Sequence, residues 1–215
     1  MKLIAINGSP RKNGNTAALL KEVMSGASSK NMETEIINLY DLDFKGCRSC
    51  FACKRIGGSS YGKCAINDAL KPVLRKIEQA HTIVFGTPVY FSGESGVMRS
   101  FLERFQFQYM LYDNAHTSVI PKKINIAAIF TMNVTEEEAE QLQYNRLFKT
   151  ITGRLQHIAG PSQTLISYNT YQFDDYSKYA ASVFDVNAKE KQRAEQFPLD
   201  IKKAFQLGVE LGMPN

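Results

Sequence analysis

The sequence predicts an α/β fold: a doubly wound, five-stranded parallel sheet in the order 2-1-3-4-5, with helices on both faces. Three observations predict it. Short apolar runs alternate with stretches of helical periodicity along the chain, the pattern of a parallel sheet covered on both sides. Polar loops containing glycine follow the first and third runs, where sheets of this kind bind ligands. The strand-like runs number five, one too few for the six-stranded dinucleotide-binding fold and enough for the order 2-1-3-4-5. The right-handed crossover rule then leaves few other topologies. At 215 residues the chain suits one domain, spanning 1–215.

Taken in order, residues 2–6 form an apolar run ended by Asn7-Gly8, too short to bury a helical face and therefore a strand. Asn15 and Thr16 are good helix-capping residues, and Ala17, Leu19, Leu20, Val23 and Met24 then fall on one side of a helix. Residues 33–39 alternate with β-branched side chains as a second strand. Residues 69–79 read as a helix with Leu70, Val73, Leu74 and Ile77 inward, and Pro72 fits an early helical position. Residues 81–86 form the third strand, 97–107 a helix, 124–130 the fourth strand, 136–156 a helix and 163–166 a short fifth strand. A last helix covers 188–211, with Pro198 expected to break or restart it. Segments 109–123 and 167–187 are long for simple connections, which suits a lid, an oligomer contact or a small extra element.

The hydrophobic share of 44% and charged share of 22% are those of an ordinary globular protein. No apolar run reaches the roughly 18 residues of a membrane span, and the N-terminal run stops too early for a signal peptide. A cytoplasmic location with no membrane partner is the expectation. The net charge of +5 is scattered over the chain, so nucleic acid is not an expected partner.

The first loop is Gly8-Ser9-Pro10-Arg11-Lys12-Asn13-Gly14-Asn15-Thr16. Its glycines allow tight turns, Ser9, Asn15 and Thr16 supply hydroxyl or amide donors, and the following helix aims unpaired N–H groups at an anion. Arg11 adds charge-assisted hydrogen bonds. The loop has neither the Gly-x-Gly-x-x-Gly pattern nor Gly-Lys-Ser/Thr, which favours a phosphate monoester over a pyrophosphate. The second loop is Gly86-Thr87-Pro88-Val89-Tyr90-Phe91-Ser92-Gly93-Glu94-Ser95-Gly96, across the switch point from the first. A polar turn in the first and core-covering aromatics in the second are the plainer explanations. Both loops at the two correct strand ends weigh against them.

These two loops, with the cysteine segment and the Cys64-Ala65-Ile66-Asn67-Asp68 that closes it, resemble the NAD(P)H-dependent FMN reductases and iron-sulfur flavoproteins of the flavodoxin-like superfamily. The resemblance is strong over residues 1–104 and general thereafter. It implies noncovalent FMN, with its phosphate on Ser9, Arg11, Asn13, Asn15 and Thr16. The ring would lie against Pro88, Val89, Tyr90 and Phe91, and backbone donors of the loop through Ser92 and Gly93 would stabilise charge near its N1 edge. NAD(P)H would be the electron donor, and a quinone, nitro compound, flavin or protein the acceptor. Homodimers or homotetramers are also implied. Where the family often carries a glycine-rich third loop, this chain has Thr-Met-Asn-Val-Thr at 131–135. An electron carrier without reductase activity and a flavin-free binding module are the alternatives, because fold alone does not fix function. His81, His116 and His157 stand apart from every motif and receive no role.

All four cysteines lie between Cys47 and Cys64, as Cys47-x2-Cys50-x2-Cys53 followed by ten residues and Cys64. Without a secretion signal, such clustering points to metal or redox chemistry before structural disulfides. Three readings stand: a [4Fe–4S] cluster on Cys47, Cys50, Cys53 and Cys64, a structural zinc, or reduced thiols kept for packing or partner contact.

Overall fold

The computed structural model describes residues 1–213. The elements are β1 (Lys2–Asn7), α1 (Asn15–Ser28), β2 (Glu33–Asn38), α2 (Leu70–Gln79), β3 (Thr82–Tyr90), β4 (Gly93–Glu94) and α3 (Gly96–Tyr109). They continue as β5 (Asn125–Thr131), α4 (Glu136–Gln141), α5 (Tyr144–Ala159), β6 (Ser162–Ser167), α6 (Val186–Lys191) and α7 (Phe197–Leu211). Five strands pair in parallel in the order β2-β1-β3-β5-β6, while the two-residue β4 pairs antiparallel with β3 off that path. Counting only the parallel strands, this is the expected order 2-1-3-4-5. The extra strand exists because β3 continues past Gly86 to Tyr90 and folds back through Phe91 and Ser92, both at positive φ (46° and 60°), the backbone of a tight hairpin turn.

The pleat divides the central strands between two cores. Leu3 and Ala5 face α1 and α7 with Leu19, Leu20, Val23, Val84, Ile129 and Leu207. Ile4 and Ile6 face the other side with Ile77, Ile83, Phe85, Phe101, Phe105 and Phe148. Strands buried on both faces read as continuous apolar runs. Helices α1 and α7 touch at their backbones. A Cβ on Gly26 would lie 2.0 Å from the Phe205 carbonyl oxygen, and one on Gly208 would lie 2.0 Å from that of Val23.

One helix differs from expectation. The stretch 136–156 is broken at Leu142 and Gln143, and Gln143 adopts φ 57°. The first piece is fixed by a capping box in which the Thr135 hydroxyl accepts from the Glu138 N–H while the Glu138 carboxylate accepts from the Thr135 N–H. Pro198 restarts the last helix rather than breaking it. It sits in the first turn of α7, where a missing N–H costs little, and a π-helical turn, Gln192–Gln196, joins α6 to α7.

Candidate cofactor cleft and cysteine cavity

A cleft of about 810 Å³ opens at the carboxyl ends of β1, β3 and β5, the switch point of the sheet. Its first wall is the loop after β1. The fully buried Asn7 accepts the Ser9 N–H at 3.0 Å and donates to Asn38 at 2.9 Å, while the Ser9 hydroxyl accepts the Arg11 N–H at 3.2 Å. The Gly8 N–H donates to the Gly86 carbonyl at 2.8 Å, tying the two loops together. Helix α1 then begins after Gly14, whose backbone is extended (φ −84°, ψ −175°). Among the described residues no side chain caps it, and its first turn holds no acid. Its opening N–H groups therefore face the cleft without an anionic partner from the protein.

Arg11 Nη1 donates to the Gln172 carbonyl at 2.5 Å and Asn15 Nδ2 to the Tyr171 carbonyl at 2.8 Å. Arg193, presented by the π-helical turn, donates to Asn15 Oδ1 at 3.4 Å. Asn13 lines the rim and accepts from Lys21 at 3.1 Å. Thr16 is buried, and its hydroxyl pairs with that of Thr131 at 2.8 Å.

The second wall is Pro88, Val89 and Tyr90. Partial burial pushes the Tyr90 phenol up, away from ionisation. Phe91, Ser92 and Gly93 are not among the cleft-lining residues: Phe91 is fully exposed at the hairpin tip, and the Ser92 hydroxyl donates to the Tyr144 hydroxyl at 3.5 Å. Behind this wall Ser95, wholly buried, caps α3 by accepting the Met98 N–H at 3.4 Å, and its hydroxyl donates to the Gly8 carbonyl at 2.6 Å.

The third wall, Thr131, Met132 and Asn133, lies in the segment where the sequence departs from the family's glycine-rich loop, and the cover, residues 170–174 with Tyr179, lies in the segment read as suited to a lid, an oligomer contact or a small extra element; Arg193 was not assigned. The tyrosine-rich composition of that cover was visible; Arg193 carried no signal. Phe173 stacks on Tyr179 with centroids 4.0 Å apart, and Tyr176 meets Tyr171, Phe173 and Phe184 edge-on. Lys189 is buried beneath, donating to the Asn133 carbonyl and, at 3.5 Å, to that of Thr170. Burial lowers its ammonium to about 8.

The cysteines surround a separate small cavity, lined by Cys47, Cys50, Cys53 and Cys64 together with Arg104 and Gln108. Ser49 and Phe51 adopt positive φ (52° and 55°) between successive cysteines. The insertion folds back through Gly57 and Gly62 (φ 72° and 66°), and the Gly62 N–H donates to the Cys53 carbonyl at 2.9 Å, returning Cys64 to its partners. All four thiols are free, and burial raises that of Cys53. Among the described residues no group of three or more His, Cys, Asp or Glu side chains is placed to hold a metal ion. Among the described residues, no helix is long and apolar enough to cross a membrane.

Comparison with known proteins agrees with this architecture. A family model described as NADPH-dependent FMN reductase matches residues 1–127. An iron-sulfur flavoprotein of Methanocaldococcus jannaschii is 38% identical over 104 residues, covering 48% of this chain and 51% of its own. One from Archaeoglobus fulgidus is 39% identical over 104 residues, 48% of each. The chain thus spans about half the length of the curated relatives it matches. Among solved structures, an NAD(P)H:quinone oxidoreductase from Methanothermobacter marburgensis superposes with a TM-score of 0.73 over 100% of this chain and 98% of that one, at 14% identity. An FMN-dependent NADH-azoreductase from Bacillus anthracis, in complex with FMN, gives 0.66 over 99% of both, at 12% identity. At these identities the likeness speaks for the shared flavodoxin-like fold alone.

Proposed function

The chain belongs to the NADPH-dependent FMN reductase family, and from that premise we propose that it is an FMN-dependent oxidoreductase drawing on NAD(P)H. Electrons would leave to a quinone, a nitro compound, a free flavin or a protein. The observation that carries this reading is the uncapped N-terminus of α1, opening beside Arg11 into a cleft at the switch point of the sheet. A phosphate monoester is the complement of such an end. Bound FMN supplies the hydride and electron chemistry; the chain's part is to hold and screen it.

Ser9, Arg11, Asn13, Asn15 and Thr16 form the phosphate end, with Arg193 as a further cation. Thr16 works through its position at the helix start, since its hydroxyl is engaged by Thr131. Pro88, Val89 and Tyr90 form one ring wall and Thr131 to Asn133 the other. The cover from Thr170 to Asp174 excludes water above them. Phe91, Ser92 and Gly93 would act at the rim, where the exposed Phe91 meets an acceptor or a second subunit.

A second reading is favoured by a different observation. Arg104 Nε, Arg104 Nη2 and Gln108 Nε2 are buried without a hydrogen-bond partner among the described residues, and both side chains line the cysteine cavity. Buried donors are paired in all but a few cases. An iron–sulfur cluster held by Cys47, Cys50, Cys53 and Cys64 would bring negative charge and sulfur acceptors to that space. With such a cluster the protein would relay electrons singly.

The test is an absorption spectrum of protein purified without oxygen and loaded with FMN, before and after NADPH. Flavin bands that bleach on addition are the expected result. A protein that takes up no FMN would overturn the cofactor assignment, and one that binds FMN but is not reduced by NADPH or NADH would be an electron carrier.

A further inference from the structure

Arg104 lies on α3 and its side chain is fully buried. One of its nitrogens, Nη1, is spoken for: it pairs with the Asp68 carboxylate and donates to the Lys45 carbonyl at 3.3 Å. The other two, Nε and Nη2, have no acceptor among the described residues. Gln108, one helical turn further along, is divided in the same way. Its Oε1 accepts the Cys64 N–H at 2.9 Å, while Nε2 is buried and unpartnered. At a spacing of four residues the two side chains stand on one face of α3, and both border the space that the four sulfurs surround. A guanidinium is not deprotonated in proteins, so Arg104 stays a cation.

Leaving three N–H-bearing nitrogens buried and unpaired is costly, and more so where the group is charged. Asp68 does not relieve the cost, since it meets Nη1. The arrangement makes sense if the missing acceptors belong to the occupant of the cavity. We propose that Arg104 and Gln108 are positioning residues for an iron–sulfur cluster, donating through Nε, Nη2 and Nε2 to its sulfur atoms and so raising its reduction potential. The inference rests on the cluster reading above and deepens it. Donors and positive charge beside a cluster stabilise the form with one more electron, and hydrogen bonds to sulfur are among the factors that set cluster potentials.

The experiment begins with anaerobic reconstitution of the whole FMN-loaded protein with iron and sulfide. Iron and sulfide are quantified, and the cluster is then titrated with dithionite, which supplies the one electron, while its paramagnetic signal is followed. Two substitutions isolate the donors. Arg104→Lys keeps a charge beside Asp68 and removes the free Nε and Nη2. Gln108→Glu keeps an acceptor for the Cys64 N–H and replaces the free amide nitrogen with oxygen. FMN stoichiometry and far-ultraviolet dichroism identify folded protein in each case.

Both substitutions are expected to lower the midpoint, and Gln108→Glu by the larger amount. Its expected shift is at least tenfold in the reduction equilibrium, about 59 mV for a one-electron couple. Both are also expected to speed loss of iron to a chelator at least tenfold, which serves as the readout for a variant too labile to titrate. Unchanged midpoints and unchanged iron loss in folded variants would overturn the role of Arg104 and Gln108 while leaving the cluster in place. Wild-type protein that binds FMN but takes up no iron and sulfide would overturn the cluster reading and this inference with it.

Discussion

Helices α1 and α3 leave the sheet at the carboxyl ends of adjacent strands, β1 and β3, yet their N-termini are finished in opposite ways. Helix α3 is closed by its own chain: Ser95 accepts the Met98 N–H and spends its proton on the Gly8 carbonyl. Helix α1 starts behind Gly14 with no capping side chain and no acid in its first turn, although Ser9, Asn13 and Asn15 are near in sequence. The Ser9 hydroxyl is used inside the loop, and the Asn15 amide and Arg11 reach across to carbonyls of the cover. One helix start is self-sufficient and braces the ring wall. The other is left open where an anion is wanted, and a chain can afford that only where a ligand or water completes it.

The sharpest way to break this comparison is to close α1 as α3 is closed. Gly14→Asp places a carboxylate at the N-cap. The backbone there is extended and accepts any residue, and the new Cβ would lie 3.0 Å from the Arg11 Cβ, so the exposed loop at Arg11 must give by a few tenths of an ångström. The free protein is expected to gain a few tenths of a kcal/mol from the better cap. FMN affinity is expected to fall on the order of 100-fold, about 2.7 kcal/mol, because the carboxylate occupies the N–H groups and repels phosphate. Flavin fluorescence titration and urea unfolding read the two effects separately. A variant that is more stable and binds FMN as before would remove α1 from the site.

The reverse substitution tests the closed helix. Ser95→Ala leaves the Met98 N–H and the Gly8 carbonyl without their partner in a wholly buried position, and a loss of about 1–2 kcal/mol in unfolding free energy is expected. FMN affinity should change by less than about threefold, since Ser95 offers the cleft no donor of its own. A large loss of affinity with unchanged stability would mean that α3, too, presents its N-terminus to the ligand.

The same contrast explains what could be read from the sequence. Both loops were legible because glycine, capping residues and an apolar strand sit within a few positions of each other, and the short apolar runs placed them at strand ends. The hairpin of Phe91 and Ser92 was not, since neither residue advertises positive φ as Asn or Gly would. The split of α4 from α5 hid behind unbroken helical periodicity, with only Gln143 in a left-handed conformation to mark it. The cysteine spacing suggested a ligand set. The Arg104 and Gln108 that face the same space lie 40 and 44 residues beyond Cys64 in sequence, and on α3 they looked like ordinary helix residues. Arg193 was invisible for a related reason: its place in the cleft depends on a π-helical turn, which composition does not announce.

The cover that lends its carbonyls to α1 is itself held by Lys189, and here the expected effect is smallest. Its ammonium titrates at about 8 against an ordinary 10.5, because burial disfavours the charge. Below pH 8 folded and unfolded chains both carry the proton, and Lys189 contributes no slope. Between about 8 and 10.5 the unfolded chain holds a proton that the folded chain has released, so stability attributable to this residue rises with pH. Urea midpoints of the wild type and Lys189→Met, measured at about pH 7 and about pH 9.5, isolate it from the cysteines and tyrosines that titrate in the same range. The wild type should gain on the variant as pH rises. A constant difference would mean that Lys189 is well solvated, and that the cover is held over the open helix by Arg11 and Asn15 alone.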